Sequence, residues 1–409
     1  MSCAAKFERL LPLFATCVLS ATAWGQVADR ANQEGAAVFL RGATVFDGSK
    51  VLGTANVLIV DGKIAAVGSD VEAPVKARVV DCAGRWITPG LVDANTALGL
   101  PSPQENEQSN EVTPHLEIVD LYDVEAQSVV HARRNGVTTA YITPGELNVF
   151  GGLGAIVKTA GDEPVVMREN GMRMTLGNMP GQGNAPFRTF GKPVGMYFRR
   201  PSNRMGVIWE VRKAFYDALD ERETAPDKVA MMSASTRTLI RALDKELVVR
   251  TSARADQDIR TAIRLAEEFG IRLVLDHVTE AYACLDDVVA AGFPVLLTAP
   301  TLSDDPEGAT PHLDTAALIA ARGVTLAIQS GTDPRADALV REAAFAVRGG
   351  LSREVALAAI TSVPAKILGI DARVGSLAAG KDGDVVIWSG HPLSLASKAL
   401  TVFIEGVER

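Results

Sequence analysis

The sequence predicts an α/β protein whose centre is a TIM-type (β/α)8 barrel, with β-rich segments at both ends of the chain. Three observations predict it. Between residues 256 and 331 a helix, a glycine and a continuous apolar strand follow one another three times: DQDIRTAIRLAEEF, Gly270 and IRLVLDH; EAYACLDDVVAA, Gly292 and FPVLLTAP; DTAALIAAR, Gly323 and VTLAIQSG. Strands that are apolar throughout, with no alternation, are buried on both faces, which is the grammar of parallel βα units. A closed barrel of eight such units needs ~250 residues, and residues 88–372 accommodate it. Outside that span, residues 37–87 and 373–409 read as short strands joined by tight turns.

Taken in order, the first 25 residues carry Lys6 and Arg9, then an apolar run from Leu10 to Ala23, then Ala23-Trp24-Gly25, a small-x-small pattern. This reads as a cleaved secretory signal; the run is too short for a membrane span and Pro12 interrupts it. Residues 26–36 form a linker. AVFLRGATVF, NVLIV and KIAAVG then alternate with Asp47-Gly48 and Asp61-Gly62, and Asp-Gly between apolar runs signals a hairpin because both turn residues must accept positive φ. Pro89-Gly90 ends this part, and Leu91 and Val92 start a strand on which Asp93, Asn95 and Ala97 share a face.

DVEAQSVVHARRNG and VTTAYITPG supply the next helix and strand. Gly151-Gly152 with Gly154 lacks the ending of a phosphate-binding loop and reads as a tight barrel loop. From 161 to 245 the periodicity loosens and places no strands. Further on, Ile259, Ala262, Ile263, Ala266 and Phe269 fall at helical spacing and Gly270 stops the helix. GDVVIWSG and LTVFIEG close the chain as two more strands.

With 409 residues, 47% of them hydrophobic, the chain can bury a large core. A formal net charge of −8 without basic runs argues against nucleic acid or anionic lipid as a partner. Of the four cysteines, Cys3 and Cys17 leave with the leader, while Cys82 and Cys284 are either two buried thiols or one disulfide.

The stretch PGLVDANTALGL resembles the first barrel strand of the amidohydrolase superfamily, written PGLIDAHTHLGL in typical members. VTPHLEIVDLYD, GVTTAYITPGELNVFGGLGAIVKTAG, RADQDIRTAIRLAEEFGIRLVLDHVTEAY and GSLAAGKDGDVV extend the resemblance over nearly the whole mature chain, toward the secreted, imidazolonepropionase-like subgroup. The resemblance implies that the two terminal segments, 37–87 and 373–409, meet in a composite β-sandwich beside the barrel. It also implies catalytic zinc held at the C-terminal ends of the strands. Here the His-x-His pair of relatives is Asn95 and Ala97, and their strand-five HAHRAD is Thr251-Ser252-Ala253-Arg254-Ala255-Asp256. His277, the strand-six ligand, and Asp333, the strand-eight acid that binds metal and moves the proton of the attacking water, are retained. A carboxamide oxygen is a poor zinc ligand and a methyl group offers nothing.

Two ligands do not make the three-residue shell that zinc catalysis requires. No tightly bound cofactor is therefore expected. The other readings stay open: His277 as a packed core histidine, Asp333 as a plain turn acid, and His115, within the TPHL motif, as a residue that orders its loop. His131, His312 and His391 read as solvated, and Lys158, in the third strand, as structural rather than as a carboxylated metal bridge. Two functions follow. One is a secreted or periplasmic hydrolase of non-peptide carbon–nitrogen bonds, impaired by its degenerate site, with Asp333 and His277 as catalytic residues and Asn95, Thr251 and His115 as binding residues. The other is an inactive barrel that binds a small molecule or a partner subunit, either an intact paralogue or a second copy of itself.

Overall fold

The computed structural model describes residues 37–107, 109–182, 201–298, 307–331, 335 and 337–409. The leader at 1–25, the linker at 26–36 and Asp333 lie outside the described residues. The chain begins with three antiparallel strands, β1 (Val38–Phe46), β2 (Val51–Val60) and β3 (Lys63–Gly68). The turn between β2 and β3 has Asp61 at φ 49° and Gly62 at φ 74°, the geometry that an Asp-Gly pair supplies with little strain. β4 (Arg78–Asp81) and β5 (Trp86–Pro89) both run parallel to β1, but along different halves of it: residues 38–41 face β4, while Thr44 and Val45 face β5. A register shift between Leu40 and Ala43, with Gly42 at φ 75°, lets one strand serve two neighbours.

Only Gly90 separates β5 from β6 (Leu91–Thr96), so the boundary between the two parts falls at Gly90 rather than at 87/88. A side chain here would collide with Thr138, whose Oγ1 would lie 2.1 Å from the added Cβ. β7 (Val137–Ile142) runs parallel to β6 after the helix Gln127–Arg134. β8 (Phe150–Leu153) and β9 (Ala155–Lys158) correct the loop expected at the glycines: Gly151 and Gly152 lie in a strand. Their missing side chains admit a close neighbour, since a Cβ on Gly152 would meet the Leu116 carbonyl oxygen at 2.4 Å.

The stretch the sequence left blank contains β10 (Val165–Met167), β11 (Met172–Thr175) and the helices Arg204–Thr224 and Ala234–Leu243. β12 (Val249–Ser252), β13 (Leu273–Asp276), β14 (Val295–Leu297) and β15 (Leu326–Ile328) continue from β11 as five consecutive parallel strands. Helices Asp256–Phe269 and Leu285–Ala291 end at Gly270 and Gly292 in the left-handed conformation, as their glycines predict. Two sheets result, β10-β9-β7-β6 and β15-β14-β13-β12-β11-β8. They meet where Thr96 bridges Gly331 in parallel and the Gly331 N–H donates to the Asn95 carbonyl at 3.0 Å.

β16 (Val385–Trp388), β17 (Ala399–Ile404) and β18 (Val407–Glu408) return to the first part, with β16 antiparallel to β5 and Ile387 opposite Ile87. Strands from both chain ends thus share one eight-stranded sheet, β18-β17-β16-β5-β1-β2-β3 with β4 on β1. It has a core of its own, including Leu40, Val57, Ile87, Val385 and Phe403. Lys158, 2% exposed, ties this sheet to the βα part: its Nζ lies 2.6 Å from Asp384 and 3.1 Å from Asp382. Cys82 and Cys284 are both free and buried. No helix among the described residues is long and apolar enough to cross a membrane.

Candidate active site

At the C-terminal ends of β6, β7, β11, β12 and β13 a set of charged and polar side chains is buried almost completely. β6 contributes two of them. Asp93, 1% exposed, accepts hydrogen bonds from the Ser330 N–H at 3.1 Å and from the Ser330 hydroxyl. Asn95, on the same face, donates from Nδ2 to Asp276 Oδ2 at 2.7 Å. Burial pushes the Asp93 carboxyl up to about 6, against the opposing effect of the Ser330 bonds.

β13 delivers Asp276 and then turns sharply, with His277 at φ 57°, a left-handed conformation uncommon outside glycine and frequent at functional sites. Both oxygens of Asp276 are engaged. Its Oδ1 accepts from Gln329 Nε2 at 2.7 Å and stands 3.0 Å from His277 Nδ1, while Oδ2 accepts from Asn95 and from Arg173 Nη1. Glu146, just beyond β7, is held in the same way: Arg173 Nη2 donates to Oε1 at 2.9 Å, Ser252 donates its hydroxyl to Oε1, and Arg254 Nη2 donates to Oε2 at 2.6 Å. Burial alone would raise both carboxyls. Instead Arg254, His277 and Arg173 hold Glu146 well below the usual range, and His277 and Arg173 do the same for Asp276.

Of these groups Asn95, Glu146, Arg173 and His277 line a narrow cleft together with Ala97, Thr143 and Gly331, while Asp93 and Asp276 are not among its lining residues. Asn95, Ala97 and His277 are therefore brought together, as their strand positions predict. Thr251 is not among the lining residues: its hydroxyl is buried without a partner, and the alternation along β12 sends Ser252 to Glu146 instead. His115 is half-buried and also absent from the cleft wall. Asp333 lies outside the described residues, and Lys158 is committed to Asp382 and Asp384. His131 and His312 are exposed, the latter stacked on Tyr282, and His391 packs on Trp86.

Sequence reasoning missed Glu146, Arg173, Asp276 and Gln329. For two of them a signal existed: Glu146 directly follows the Pro-Gly that ends β7, and Asp276 is the last residue of an apolar strand. Asp93 offers a direct check of this burial. Its folded pKa is raised above the unfolded 3.8 to about 6, so folding takes up a proton and stability falls as pH rises between those values, by roughly 3 kcal/mol in all. Asp93→Asn is expected to flatten that part of the stability-against-pH curve in chemical denaturation. An unchanged curve would remove Asp93 as its source.

Residues 216–407 match the sequence model of the amidohydrolase family. A crystal structure of an amidohydrolase from Thermotoga maritima shares the fold with a TM-score of 0.82 and 31% identity, over 91% of this chain and 99% of that one. A dihydroorotase of Anaeromyxobacter dehalogenans is 28% identical over 88% of this chain and 92% of its own length. Amidohydrolase tasK of Hapsidospora irregularis is 25% identical over 91% of this chain, which spans only 43% of that longer protein.

Proposed function

This chain belongs to the amidohydrolase family, and from that premise we propose that its cleft binds a small carbon–nitrogen compound without zinc-dependent hydrolysis. The observation that carries this reading is that both oxygens of Asp276 are already taken by donors of the chain itself. Zinc catalysis takes about three protein ligands and one open position. Among the described residues of the cleft there is one imidazole, and the carboxylate beside it already accepts from Asn95, Arg173 and Gln329. Asn95 is turned as a donor toward that carboxylate. This donor set does not fit a tetrahedral zinc site, so no step is routed through metal. What the cleft offers a ligand is hydrogen bonding: Arg173 and Thr143 among its lining residues are donors that suit a carbonyl or carboxylate oxygen.

In this reading the βα strands close into a (β/α)8 barrel over residues 91–372, the terminal strands form its companion β domain, and the leader sends the protein out of the cytoplasm, secreted or periplasmic. The partner is a small molecule, and any assembly is with a second copy or an intact paralogue. A second reading has its own observation. His277 Nδ1 lies 3.0 Å from Asp276 Oδ1, an acid–imidazole pair able to serve as a metal-free base for slow hydrolysis of an amide or cyclic amide.

Elemental analysis of the purified protein tests the proposal. We expect well under one zinc per chain, and thermal melting insensitive to chelators. Stoichiometric zinc would sink both readings. Turnover of a panel of cyclic amides that persists in chelator and disappears in His277→Asn would favour the second reading over the first.

A further inference from the structure

Arg173 is the unusual member of the cleft. On β11, Met172 and Met174 join the main hydrophobic core, and alternation points Arg173 the other way, into the polar cluster. It is only 2% exposed, and its two terminal nitrogens bind different carboxylates, Nη1 on Asp276 Oδ2 and Nη2 on Glu146 Oε1. The planar fork matches that pair of acceptors, which a lysine would meet only as a point charge. A guanidinium buried so deeply is costly unless paired, and two carboxylates buried side by side are costlier without a cation.

We propose that the Arg173 guanidinium is this chain's built-in replacement for the catalytic metal of its family, a fixed cation that neutralises Glu146 and Asp276 and excludes divalent ions from them. The assignment rests on the metal-free reading of the cleft given above. Its geometry is explicit: Arg173 holds Glu146 Oε1, which stands 3.4 Å from His277 Nδ1, and the Asp276 oxygen that faces away from His277, Oδ2, while Gln329 holds the nearer Oδ1. Among the described residues no group of three or more histidine, cysteine, aspartate or glutamate side chains is placed to hold a metal as the chain stands; without Arg173, Glu146 and Asp276 would lack the cation between them, and a divalent ion beside His277 could take its place.

Zinc alone is the probe. Wild type, Arg173→Met and Arg173→Lys are compared for zinc content after equilibrium dialysis and for zinc-dependent thermal shift. Arg173→Met, which keeps most of the side-chain volume and loses the charge, is expected to bind zinc roughly tenfold or more tighter than wild type and to melt higher when zinc is added. Arg173→Lys, retaining the charge, is expected to behave as wild type. No gain in zinc binding by Arg173→Met overturns the proposal, as does an equal gain by Arg173→Lys. If Arg173→Met does not fold, Arg173→Met combined with Glu146→Gln removes one charge of each sign and is expected to restore folded protein; failure to do so overturns it too. Stoichiometric zinc in wild type would instead overturn the metal-free reading, whereas a metal-free wild type with an unresponsive Arg173→Met would overturn this inference alone.

Discussion

Lys158→Met is expected to cost about 3–5 kcal/mol of folding stability, the loss usual when one partner of a buried ion pair is removed. Lys158 is almost fully enclosed, and burial would lower its pKa, but Asp384 and Asp382 outweigh that and keep it charged. The methionine leaves Asp384 without its cation, and the carboxylate retains only the Glu405 N–H at 3.0 Å. Asp382 keeps Lys63 at 2.5 Å and Arg373 at 3.0 Å, so the damage should fall mainly on Asp384. Because Lys158 stands on β9 and its partners precede β16, the variant should also loosen the C-terminal strands ahead of global unfolding. Urea denaturation with amide exchange on residues 385–408 would show both effects. A deficit under ~1 kcal/mol would mean that the three charges are no more coupled than a surface pair.

Glu146→Gln should be comparably severe at neutral pH, and its deficit should disappear in acid. The glutamate accepts from Arg173, Arg254 and Ser252, and an amide replaces its charge with a group that is half donor, so two guanidinium groups lose a counter-ion at once. A loss of about 3–5 kcal/mol follows from the buried-pair rule. The sign of the pH dependence is fixed by linkage. The folded pKa is depressed below the unfolded 4.5, so the contribution of Glu146 is complete above that value and drains away as pH falls toward the folded value. The stability difference between the two proteins should therefore be constant above about pH 5 and shrink progressively as pH falls below about 4.5. A deficit that stays constant down to pH 3 would point to packing, and not charge, as what the glutamine disrupts.

How far the sequence discloses this molecule depends on which way its polar residues face. The run from Asp256 to Ile328 is legible because apolar strands and glycine-capped helices leave no alternative reading. Helix Arg204–Thr224 is not. Its inward face, Val207, Val211, Ala214, Phe215 and Ala218, has helical spacing, but Trp209, Tyr216 and Met205 stand exposed between these positions and blur the apolar stripe. β11 is not legible either. Met-Arg-Met-Thr alternates apolar and polar residues over too few positions to place a strand, and its polar members Arg173 and Thr175 are both buried.

The candidate site was half legible for a related reason. Asn95, Ala97 and His277 could be placed because they stand where relatives carry ligands. Glu146, Arg173 and Asp276 make sense only as a set, and what joins them is spatial neighbourhood across more than 100 residues of chain. Thr251 is singled out by its place in the motif, which fixes position along the strand but not which side of it a residue occupies.

The shared terminal sheet also constrains how the protein is made. β5 is in place once the first ninety residues have emerged, with β1 on one side, but its other edge waits for β16, some 300 residues later. Throughout synthesis of the intervening segment that edge carries unpaired N–H and C=O groups, with Ile87 beside them, an invitation to pairing with other chains. Closure of so distant a contact is slow on entropic grounds, which marks the sheet as a late step in folding. Nascent chains stalled short of residue 385 should thus be the species that aggregates, and a chaperone that shields a lone strand edge should raise the yield of native protein more than one that shields the helices.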